Sequence, residues 1–422
     1  MVTLDLVRNL RQTDLTEPRG FSMATTAHHD VVIVGGGSAG ISVAARLEGK
    51  VDDVAVIDPS DKHYYQPLWT LVGGGCAKRE TSQRAESSVI PKGVTWVKDA
   101  VIEFAPDDNQ VVTVGGATIG YDVLVVCPGI QLDWNKIPGV SDTLGIGGVS
   151  SNYTYELAPK TWEFIQGTRS GVAVFTMPSG PIKCAGAPQK IAYLAADYWR
   201  SQGVLDSIDV HLVLPTPGMF GVKEFSDALD EVVADYGIQV HFSSELSSVD
   251  PDARTASFTS MAEDGPGFEL SYDMMHVVPH QSAPDWVKSS PLANDTAARY
   301  VDVDKHTHQH VRHPNVFALG DAGSTPNSKT GAAIRKQAPV VAFNVMQQLS
   351  GRAPSAEYDG YASCPLTTSR HAMLLAEFDY SLRPAPSFPA FIDAQKPRRD
   401  MWYLKKYGLP FMYWNLMLKG RA

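Results

Sequence analysis

The first regular pattern along the chain is an apolar run at residues 31–34, Val-Val-Ile-Val, followed by a glycine-rich turn. The turn leads into an alanine-rich stretch that ends near Leu47, and a second apolar run at residues 54–57 ends at Asp58. Short continuous apolar runs are typical of buried strands in a parallel sheet, and the alanine-rich stretch is typical of a helix. The pattern therefore predicts a strand, a glycine turn, a helix and a second strand in succession.

A second copy of this pattern begins with the apolar run at residues 171–176. It continues through a turn into a predicted helix at residues 188–199 and a strand at residues 210–214. Two further apolar runs, at residues 123–126 and 316–319, are expected to complete the first sheet. We therefore predict an α/β fold with two Rossmann-like doubly wound domains, one inserted in the other, and a small carboxyl-terminal domain.

The predicted domain boundaries follow from these repeats. Residues 1–28 are interpreted as a flexible amino-terminal extension, with Met23 as an alternative start. Residues 29–150 and 290–348 form the first domain, and residues 151–289 form the inserted second domain. Residues 349–422 are rich in proline and aromatic residues and form the carboxyl-terminal domain.

The first turn has the glycine spacing of a dinucleotide-binding site. Gly35 makes the tight turn, Gly37 lets the backbone approach a pyrophosphate, and Gly40 permits close packing of helix on strand. The pyrophosphate would lie at the helix amino terminus, beside Ser38 and Ala39, where free N–H groups favour an anion. Asp58 follows Gly40 by 18 residues, at the end of the second strand, where its carboxylate can accept hydrogen bonds from both ribose hydroxyls and disfavours NADP.

A later segment favours FAD over NAD at this site. The run at residues 316–319 ends in Gly320 and Asp321, a flavin fingerprint in which the aspartate binds the ribityl chain and diphosphate. Lys329 and Thr330 precede a predicted helix start whose dipole would stabilise negative charge on the reduced flavin. Gly129, just after the apolar run at residues 123–126, is a further candidate for the cofactor site. A plain turn at Gly320 is the alternative interpretation.

The second unit lacks a comparable glycine fingerprint. Its turn reads Pro-Ser-Gly-Pro-Ile-Lys-Cys-Ala-Gly-Ala-Pro at residues 178–188, and its prolines remove N–H donors that a pyrophosphate would need. Cys184 stands in this turn beside Lys183 and just before a helix, surroundings that favour a thiolate. The alternative is that Cys184 is a small buried hydrophobic residue. The sequence thus favours redox chemistry over NADH binding here.

The composition of the chain disfavours several classes of function. The chain has 422 residues, a formal net charge of −10 and four cysteines. The acidic balance disfavours nucleic acid and a generic affinity for anionic membranes. The cysteine spacing predicts neither a disulfide-stapled scaffold nor a metal site. The first 28 residues lack the apolar run of an export signal, and no stretch is apolar enough to span a bilayer.

Four longer motifs carry a specific resemblance. They are Pro-Ile-Lys-Cys-Ala-Gly-Ala-Pro-Gln-Lys at residues 181–190, His-Tyr-Tyr-Gln-Pro at 63–67, Tyr-Asp-Gly-Tyr-Ala-Ser-Cys-Pro-Leu at 358–366 and Ala-Glu-Phe-Asp-Tyr at 376–380. These stretches closely resemble sulfide:quinone oxidoreductases, particularly the mitochondrial type and its bacterial relatives. The resemblance extends from about residue 29 to residue 420.

The resemblance implies a mechanism that the residues alone do not. Cys184 and Cys364 would form a redox disulfide, in some members with a bridging sulfur. Cys184 would be the thiolate facing the flavin, and Cys364 would take up the sulfide sulfur as a persulfide. A small thiol or sulfite would accept this sulfur, and a quinone would accept the electrons. Cys127 and Cys76 are interpreted as spectators.

The stretch from residue 402 to residue 419 mixes aromatic residues and lysines and is too interrupted to span a bilayer. It suits the membrane interface, although packing on the protein core is the alternative. The sequence therefore predicts a peripheral membrane protein on the cytoplasmic face of a bacterial membrane or on the matrix-facing equivalent. Phe378, Tyr380 and Phe411 are candidate quinone contacts, each with aromatic core as the alternative. A homodimer is left open.

Three other functions remain as alternatives. A type II NADH:quinone dehydrogenase would need a nucleotide fingerprint in the second unit. Sulfide dehydrogenation coupled to a cytochrome would need a haem partner and an export signal. A flavin-bound thiol sensor would bind without turnover. The missing second glycine fingerprint argues against the first, and no export signal supports the second. The preference for sulfide itself comes from the resemblance.

Overall fold

The computed structural model describes residues 27–184, 186–263, 265–389 and 391–422. Most of the predicted amino-terminal extension, residues 1–26, lies outside these ranges. Its last two residues, Ala27 and His28, begin the first strand.

The strands, numbered in chain order, are β1 (Ala27–Val34), β2 (Val54–Ile57), β3 (Lys62–Tyr64), β4 (Gln83–Ala85), β5 (Thr95–Val97), β6 (Val101–Ala105), β7 (Gln110–Thr113), β8 (Thr118–Val126), β9 (Gln131–Asp133), β10 (Val149–Ser150), β11 (Gly171–Thr176), β12 (Ile208–Val213), β13 (Gln239–His241), β14 (Ser244–Asp250), β15 (Thr255–Ser260), β16 (Phe268–Ser271), β17 (Met274–His276), β18 (His280–Ser282), β19 (Val316–Ala318), β20 (Ala362–Thr367) and β21 (Met373–Phe378). The α-helices are α1 (Ser38–Leu47), α2 (Trp69–Gly73), α3 (Val140–Thr143), α4 (Ala158–Gly167), α5 (Ala187–Ser201), α6 (Lys223–Tyr236), α7 (Asp285–Lys288), α8 (Gly331–Leu349), α9 (Arg399–Tyr403) and α10 (Leu409–Asn415). A π-helical turn, Leu404–Gly408, joins α9 to α10.

The first sheet collects the four apolar runs that the sequence assigns to it. Its strand order is β5-β2-β1-β8-β7-β6, and β19 pairs with β8. The strands β5, β2, β1, β8 and β19 run parallel, whereas β7 pairs antiparallel with both of its neighbours, β8 and β6. Because β19 returns to this sheet after the second unit, the second unit interrupts the first in the chain, as predicted.

The second sheet has the order β10-β17-β11-β12-β13 and is parallel throughout. Helix α5 follows β11 and packs on this sheet through a buried face that includes Ile191, Ala195 and Trp199. The strand, turn, helix and strand of the first unit therefore recur here. The two Rossmann-like units and the inserted arrangement that the sequence predicts are confirmed.

The carboxyl-terminal region consists of an antiparallel hairpin and a helical segment. Strands β20 and β21 pair along their whole length, with Cys364 opposite Ala376. The hairpin shares a core with α5, since Cys364 and Leu366 are buried among the side chains of the second unit. Residues of α9 and α10, among them Trp402 and Tyr413, are buried against the first unit. Within the described residues, no helix combines the length and the apolar character needed to cross a bilayer.

Backbone geometry explains two of the glycines in the first turn. Gly35 has a φ of +107°, and a Cβ there would lie 2.7 Å from the carbonyl carbon of Cys127, just after β8. A Cβ at Gly40 would collide with the carbonyl oxygen of Gly35 and lie 3.2 Å from Ile33. Only glycine therefore lets α1 begin this close to β1.

Replacing Gly40 by alanine is expected to lower the free energy of unfolding by about 1–3 kcal/mol, because the added methyl group meets backbone that cannot move aside. Urea unfolding of the apoprotein, followed by circular dichroism, measures this loss. Gly167→Ala is the matched control, since no atom lies within 4 Å of a Cβ at that position. Equal stabilities of the two variants would contradict the packing role of Gly40.

Candidate active site

A cavity of about 500 Å³ lies where the two Rossmann-like units meet the carboxyl-terminal region. This volume falls within the range of pockets that bind cofactors. Most of the predicted site residues line it, namely Gly35, Gly37, Ser38, Ala39, Asp58, Gly129, Cys184, Asp321, Lys329 and Thr330. Gly40 and Gly320 lie behind this surface and shape the backbone that forms it.

The first turn presents backbone and one carboxylate to the cavity. The N–H of Gly36 donates a hydrogen bond to Asp58 Oδ2 at 2.6 Å, and the N–H of Ser60 donates to Asp58 Oδ1 at 2.8 Å. Asp58 therefore also holds the turn together, a role that the sequence analysis did not assign. Each carboxylate oxygen keeps a second lone pair for a ribose hydroxyl.

The second fingerprint lies opposite the first. Gly320 has a φ of +67°, and its N–H donates to Gln337 Oε1 at 3.0 Å, so the chain turns sharply before Asp321. Thr330 caps α8 by accepting a hydrogen bond from the N–H of Ala333 at 3.1 Å. The amino terminus of this 19-residue helix thus faces the cavity, where its dipole favours negative charge.

Lys329 is buried beside this helix start. Its Nζ donates to the carbonyl of Gly323 at 2.7 Å and lies 4.0 Å from the centre of the Tyr300 ring. Burial lowers the pKa of Lys329 to about 8, and Asp321 partly offsets this effect. The lysine therefore carries a positive charge that is readily given up near neutral pH.

The residues of this cavity fit a dinucleotide. Two helix amino termini, those of α1 and α8, open onto the same space, and glycine backbone forms one wall. In addition, the side-chain oxygen and nitrogen of Asn152 are buried at this wall, and neither has a hydrogen-bond partner among the described residues. Buried amide groups without partners are rare, so a ligand with polar groups matches this position.

The two predicted catalytic cysteines come together at one side of the cavity. Cys184 stands in the turn before α5 with a φ of +86°, and Cys364 lies on β20. Their sulfur atoms are 3.1 Å apart, although the residues are 180 positions apart in the chain. A Cβ at Gly186 would lie 2.7 Å from Cys364 Sγ, so glycine is required for this approach.

A lysine sets the charge of the thiol pair. Lys190, in the first turns of α5, is buried, and its Nζ donates to Cys184 Sγ at 3.3 Å. The hydrogen bond from the Cys364 thiol and the positive charge of Lys190 hold the pKa of Cys184 well below its ordinary value. The same hydrogen bond raises the pKa of Cys364 well above its ordinary value. In the reduced pair, Cys184 therefore carries the negative charge.

The sequence analysis assigned this electrostatic role to the wrong lysine. Lys183 directs its Nζ away from the thiols, to Gln66 Oε1 at 2.5 Å, and lies near the rings of Trp69 and Tyr153. Adjacent side chains in an extended turn point in different directions, so sequence proximity misled. The sequence did offer one signal for Lys190: it falls in the first turn of the predicted helix that follows Cys184.

Lys405 was also missed. It lies in the π-helical turn, is only 2% exposed and donates from Nζ to the carbonyl of Pro67 at 3.0 Å. Burial, and then the like charge of Lys190, lower its pKa to about 7. The sequence analysis placed the lysines of this stretch at the membrane interface. Lys405 instead faces the cavity, because the π turn rotates it away from the surface.

A buried chain of polar side chains links the glycine turn to α10. Ser38 Oγ and the Tyr413 hydroxyl are 2.7 Å apart, and His63 Nε2 is 2.5 Å from the same hydroxyl. His63 Nδ1 lies 3.2 Å from Glu86 Oε2, and burial raises the pKa of this carboxyl group. The carboxyl-terminal segment is thus part of the wall around the first turn.

The predicted quinone contacts occupy three different surroundings. Phe378 is buried and packs edge-on against Phe220, and the hydroxyl of Tyr380 donates to the carbonyl of Lys305. Phe411 is 61% exposed and lines a separate groove. None of the three lines the 500 Å³ cavity. Within the stretch from residue 402 to residue 419, the residues that do are Leu404, Lys405, Leu409, Met412, Tyr413 and Met417.

Within the described residues, the two remaining cysteines make no hydrogen bond with this pair, although Cys127 lines the same cavity. Cys127 is buried at the end of β8, with Sγ 3.5 Å from the carbonyl of Gly35, and burial raises the pKa of its thiol. Cys76 is partly buried near Gly74, and burial raises its pKa as well. Both environments disfavour the thiolate, in agreement with the spectator interpretation.

Comparisons with known proteins agree with this geometry. A family model described as pyridine nucleotide-disulphide oxidoreductase matches residues 29–338. The mitochondrial sulfide:quinone oxidoreductase of Dictyostelium discoideum is 45% identical over 395 residues, which cover 93% of this chain and 86% of the relative. The mitochondrial sulfide:quinone oxidoreductase of Mus musculus is 41% identical and covers 93% and 87%, respectively.

A solved structure extends the comparison to the fold. The sulfide:quinone oxidoreductase of Aquifex aeolicus superposes with a TM-score of 0.79 at 20% sequence identity, over 94% of this chain and 92% of that one. At this identity the match supports the fold alone, whereas the family assignment rests on the two curated relatives. The chain therefore belongs to the sulfide:quinone oxidoreductase family, within the larger group of pyridine nucleotide-disulphide oxidoreductases.

Proposed function

We propose that this protein oxidises sulfide at the Cys184–Cys364 pair and passes the electrons through FAD to a quinone. The observation that carries the proposal is the 3.1 Å separation of the two sulfur atoms, with Cys184 lining the cavity that both nucleotide fingerprints also line. Family membership and the buried Lys190 beside Cys184 support it further.

FAD would be held by the residues of both fingerprints. The pyrophosphate would lie at the turn of Gly35, Gly37, Ser38 and Ala39, the ribose at Asp58, and the ribityl chain at Asp321. The rest of the FAD molecule would be contacted by Lys329, Thr330 and Gly129. The backbone conformation of the two fingerprints depends on Gly40 and Gly320. When bound, FAD supplies a two-electron acceptor that a quinone can reoxidise.

The pKa difference within the cysteine pair decides which sulfur is attacked. In the oxidised pair, hydrosulfide attacks Cys364 Sγ, the bond between the two cysteine sulfurs breaks, and Cys184 leaves as a thiolate. A thiol with a low pKa is the better leaving group, and Lys190 stabilises the charge that develops on Cys184. The new sulfur remains on Cys364 as a persulfide.

The second half of the cycle returns the pair to its oxidised form. A small thiol or sulfite takes the outer sulfur from Cys364, and the Cys184–Cys364 bond re-forms as two electrons leave for the flavin. Overall, hydrosulfide loses two electrons and one proton, and its sulfur leaves bonded to the acceptor. Burial opposes the charge of Lys190, but the thiolate of Cys184 outweighs it and raises the pKa of Lys190, so this lysine stays charged while the pair is reduced.

Quinone reduction takes up two electrons and two protons, and one side of the cavity suits it. Leu404, Leu409, Met412 and Met417 provide an apolar lining for a quinone ring. Lys405, with a pKa of about 7, can hold a proton at Nζ and release it near neutral pH. We infer that the quinone binds here rather than at Phe378 or Tyr380.

The surface beside this region suits a bilayer interface. Tyr403, Tyr407 and Phe411, spaced four residues apart, are 54%, 59% and 61% exposed, while Trp402 and Trp414 pack inward. One face of the stretch from residue 402 to residue 419 thus packs on the protein core, and the other face is exposed and available to a membrane interface. We propose a peripheral protein on the cytoplasmic or matrix-facing side of a membrane, where a quinone enters from the lipid.

Anaerobic addition of sulfide is expected to bleach the flavin absorbance of the purified protein, and a short-chain quinone is expected to restore it. NADH should leave the flavin oxidised, because the turn at residues 178–188 lacks the glycine fingerprint. Stopped-flow absorbance measures both reactions. Bleaching by NADH without bleaching by sulfide would replace this proposal with NADH:quinone dehydrogenation.

Cys184→Ser and Cys364→Ser are each expected to slow sulfide-dependent flavin reduction by about a thousandfold or more, since each removes one partner of the redox bond. Both variants should retain FAD, measured by the ratio of flavin to protein absorbance. Cys76→Ser is the matched control and should react at the rate of the native protein. Rapid reduction in either active-site variant would exclude the cysteine-pair mechanism.

Lys190→Met is expected to raise the pKa of Cys184, because the variant removes the positive charge that stabilises its thiolate. The rate of alkylation of the reduced pair by iodoacetamide at neutral pH should fall by about tenfold for each unit of that rise. Mass spectrometry of peptides alkylated across a pH series measures the pH midpoint of Cys184 alkylation. Lys190→Arg keeps the charge and should leave the midpoint near that of the native protein; an unshifted midpoint in Lys190→Met would remove Lys190 from this role.

A further inference from the structure

A second cavity, of about 790 Å³, opens on the protein surface between α2 with the loop that follows it and the carboxyl-terminal helical segment. Neighbouring residues divide between the two cavities. Pro67 and Tyr413 line the redox cavity, whereas Leu68 and Trp414 line this one. One layer of side chains therefore separates them. The second cavity is called the basic groove below.

The rim of the basic groove carries an excess of positive charge. Lys78, Arg79, Arg84 and Lys406 line it, against the single carboxylate of Glu80. Among the described residues, Arg79 is the one member of the four paired with a carboxylate, at 3.2 Å from Glu80 Oε1. This local excess is unusual in a chain whose net charge is −10.

Aromatic rings hold two of these cations at the rim. The Arg84 guanidinium lies 4.4 Å from the centre of the Trp414 ring, and Lys406 Nζ lies 5.4 Å from that of Tyr407. Contacts of this kind orient a cation without neutralising its charge, so both remain free to bind an anion.

The interior of the basic groove is apolar. Its lining includes Leu68, Val72, Ala77, Trp162, Pro410 and Trp414. Phe411 extends from the same edge and is 61% exposed. A ligand that complements this site has a negatively charged group joined to a hydrocarbon chain, since a simple anion would leave the apolar lining wet and a neutral lipid would leave the cations unpaired.

We propose that the basic groove binds an acidic phospholipid of the bilayer, with the headgroup phosphate at Arg84 and Lys406 and an acyl chain along Trp414 and Val72. This inference rests on the membrane-facing orientation proposed above. It adds that the surface facing the membrane binds a lipid of negative charge. It also revises the expectation that an acidic protein disfavours anionic membranes. Electrostatic attraction is screened within about 10 Å, so the local charge decides the contact rather than the net charge.

Vesicle flotation tests the inference with the full-length protein containing FAD. Vesicles of phosphatidylcholine alone are compared with vesicles that also contain phosphatidylglycerol. The native protein is expected to partition more strongly onto the mixed vesicles. In the double variant Arg84→Gln/Lys406→Gln, partitioning onto mixed vesicles should fall by about fivefold for each charge removed. Partitioning onto phosphatidylcholine alone should not change.

The matched control is Lys50→Gln/Lys92→Gln, which removes two exposed lysines outside the basic groove. It should keep the preference of the native protein. A native protein without preference for mixed vesicles, a double variant that retains that preference, or a control that loses it equally would each overturn the proposal.

A third variant distinguishes binding of a lipid in the basic groove from non-specific electrostatic attraction to the vesicle surface. Ala77→Phe fills the apolar interior without altering any charge, so the preference for mixed vesicles should weaken. An undiminished preference in this variant, with native circular dichroism, would refute a groove-bound lipid. Sulfide-dependent reduction of a short-chain quinone is measured without vesicles in every variant. Failure of that reaction would count against the proposed function and leave the lipid measurements intact.

Discussion

The close approach of the carboxyl-terminal hairpin to the start of α5 is the constraint on which the redox site depends. A Cβ at Gly186 would collide with the Leu366 side chain and lie 2.7 Å from Cys364 Sγ, so the side chains of β20 would have to shift. The 3.1 Å contact in turn produces the unequal pKa values of the two thiols, because one donates a hydrogen bond to the other. Backbone packing thus determines which of the two thiols has the lower pKa.

The same packing explains why positive charge gathers around one small volume. Lys190 and Lys405 are both buried near the thiols, and each disfavours the charge of the other. The thiolate of Cys184 compensates Lys190, which leaves Lys405 as the group that loses its proton most easily. A change of charge on the thiols is therefore felt by the lysine beside the apolar end of the cavity. Sulfur chemistry and proton exchange are electrostatically coupled through this arrangement.

Much of the fold and the first nucleotide-binding turn could be predicted because their signals are local. A glycine spacing, an apolar run and an acidic residue at the next strand end lie within about 30 residues of one another, as a βαβ unit requires. The position of Cys184 before a helix was predictable for the same reason. Cys364 was not, since nothing in its own segment identifies its partner, and the pairing came from family resemblance.

Where the structure departs from the sequence analysis, side-chain direction is the physical cause. Lys183 and Lys190 both follow β11 closely, and only the direction of each side chain distinguishes them. Lys405 lies in an aromatic stretch typical of an interface, and a local change of helical pitch turns it inward. Phe378 and Tyr380 are aromatic residues near the hairpin, but β-strand alternation and packing direct them into other contacts. Orientation of this kind is decided by tertiary packing, which one sequence does not reveal.

The hydrogen bond between Ser38 and Tyr413 has a consequence for biosynthesis. The two residues are 375 positions apart, so the first turn of the nascent chain lacks its partner until α10 has been translated. At roughly 5 to 20 residues per second, this interval lasts about 20 to 75 s. During that time the apolar face that later receives Tyr413 and Trp414 is open to solvent. That surface of the first unit is therefore covered only after synthesis has reached α10.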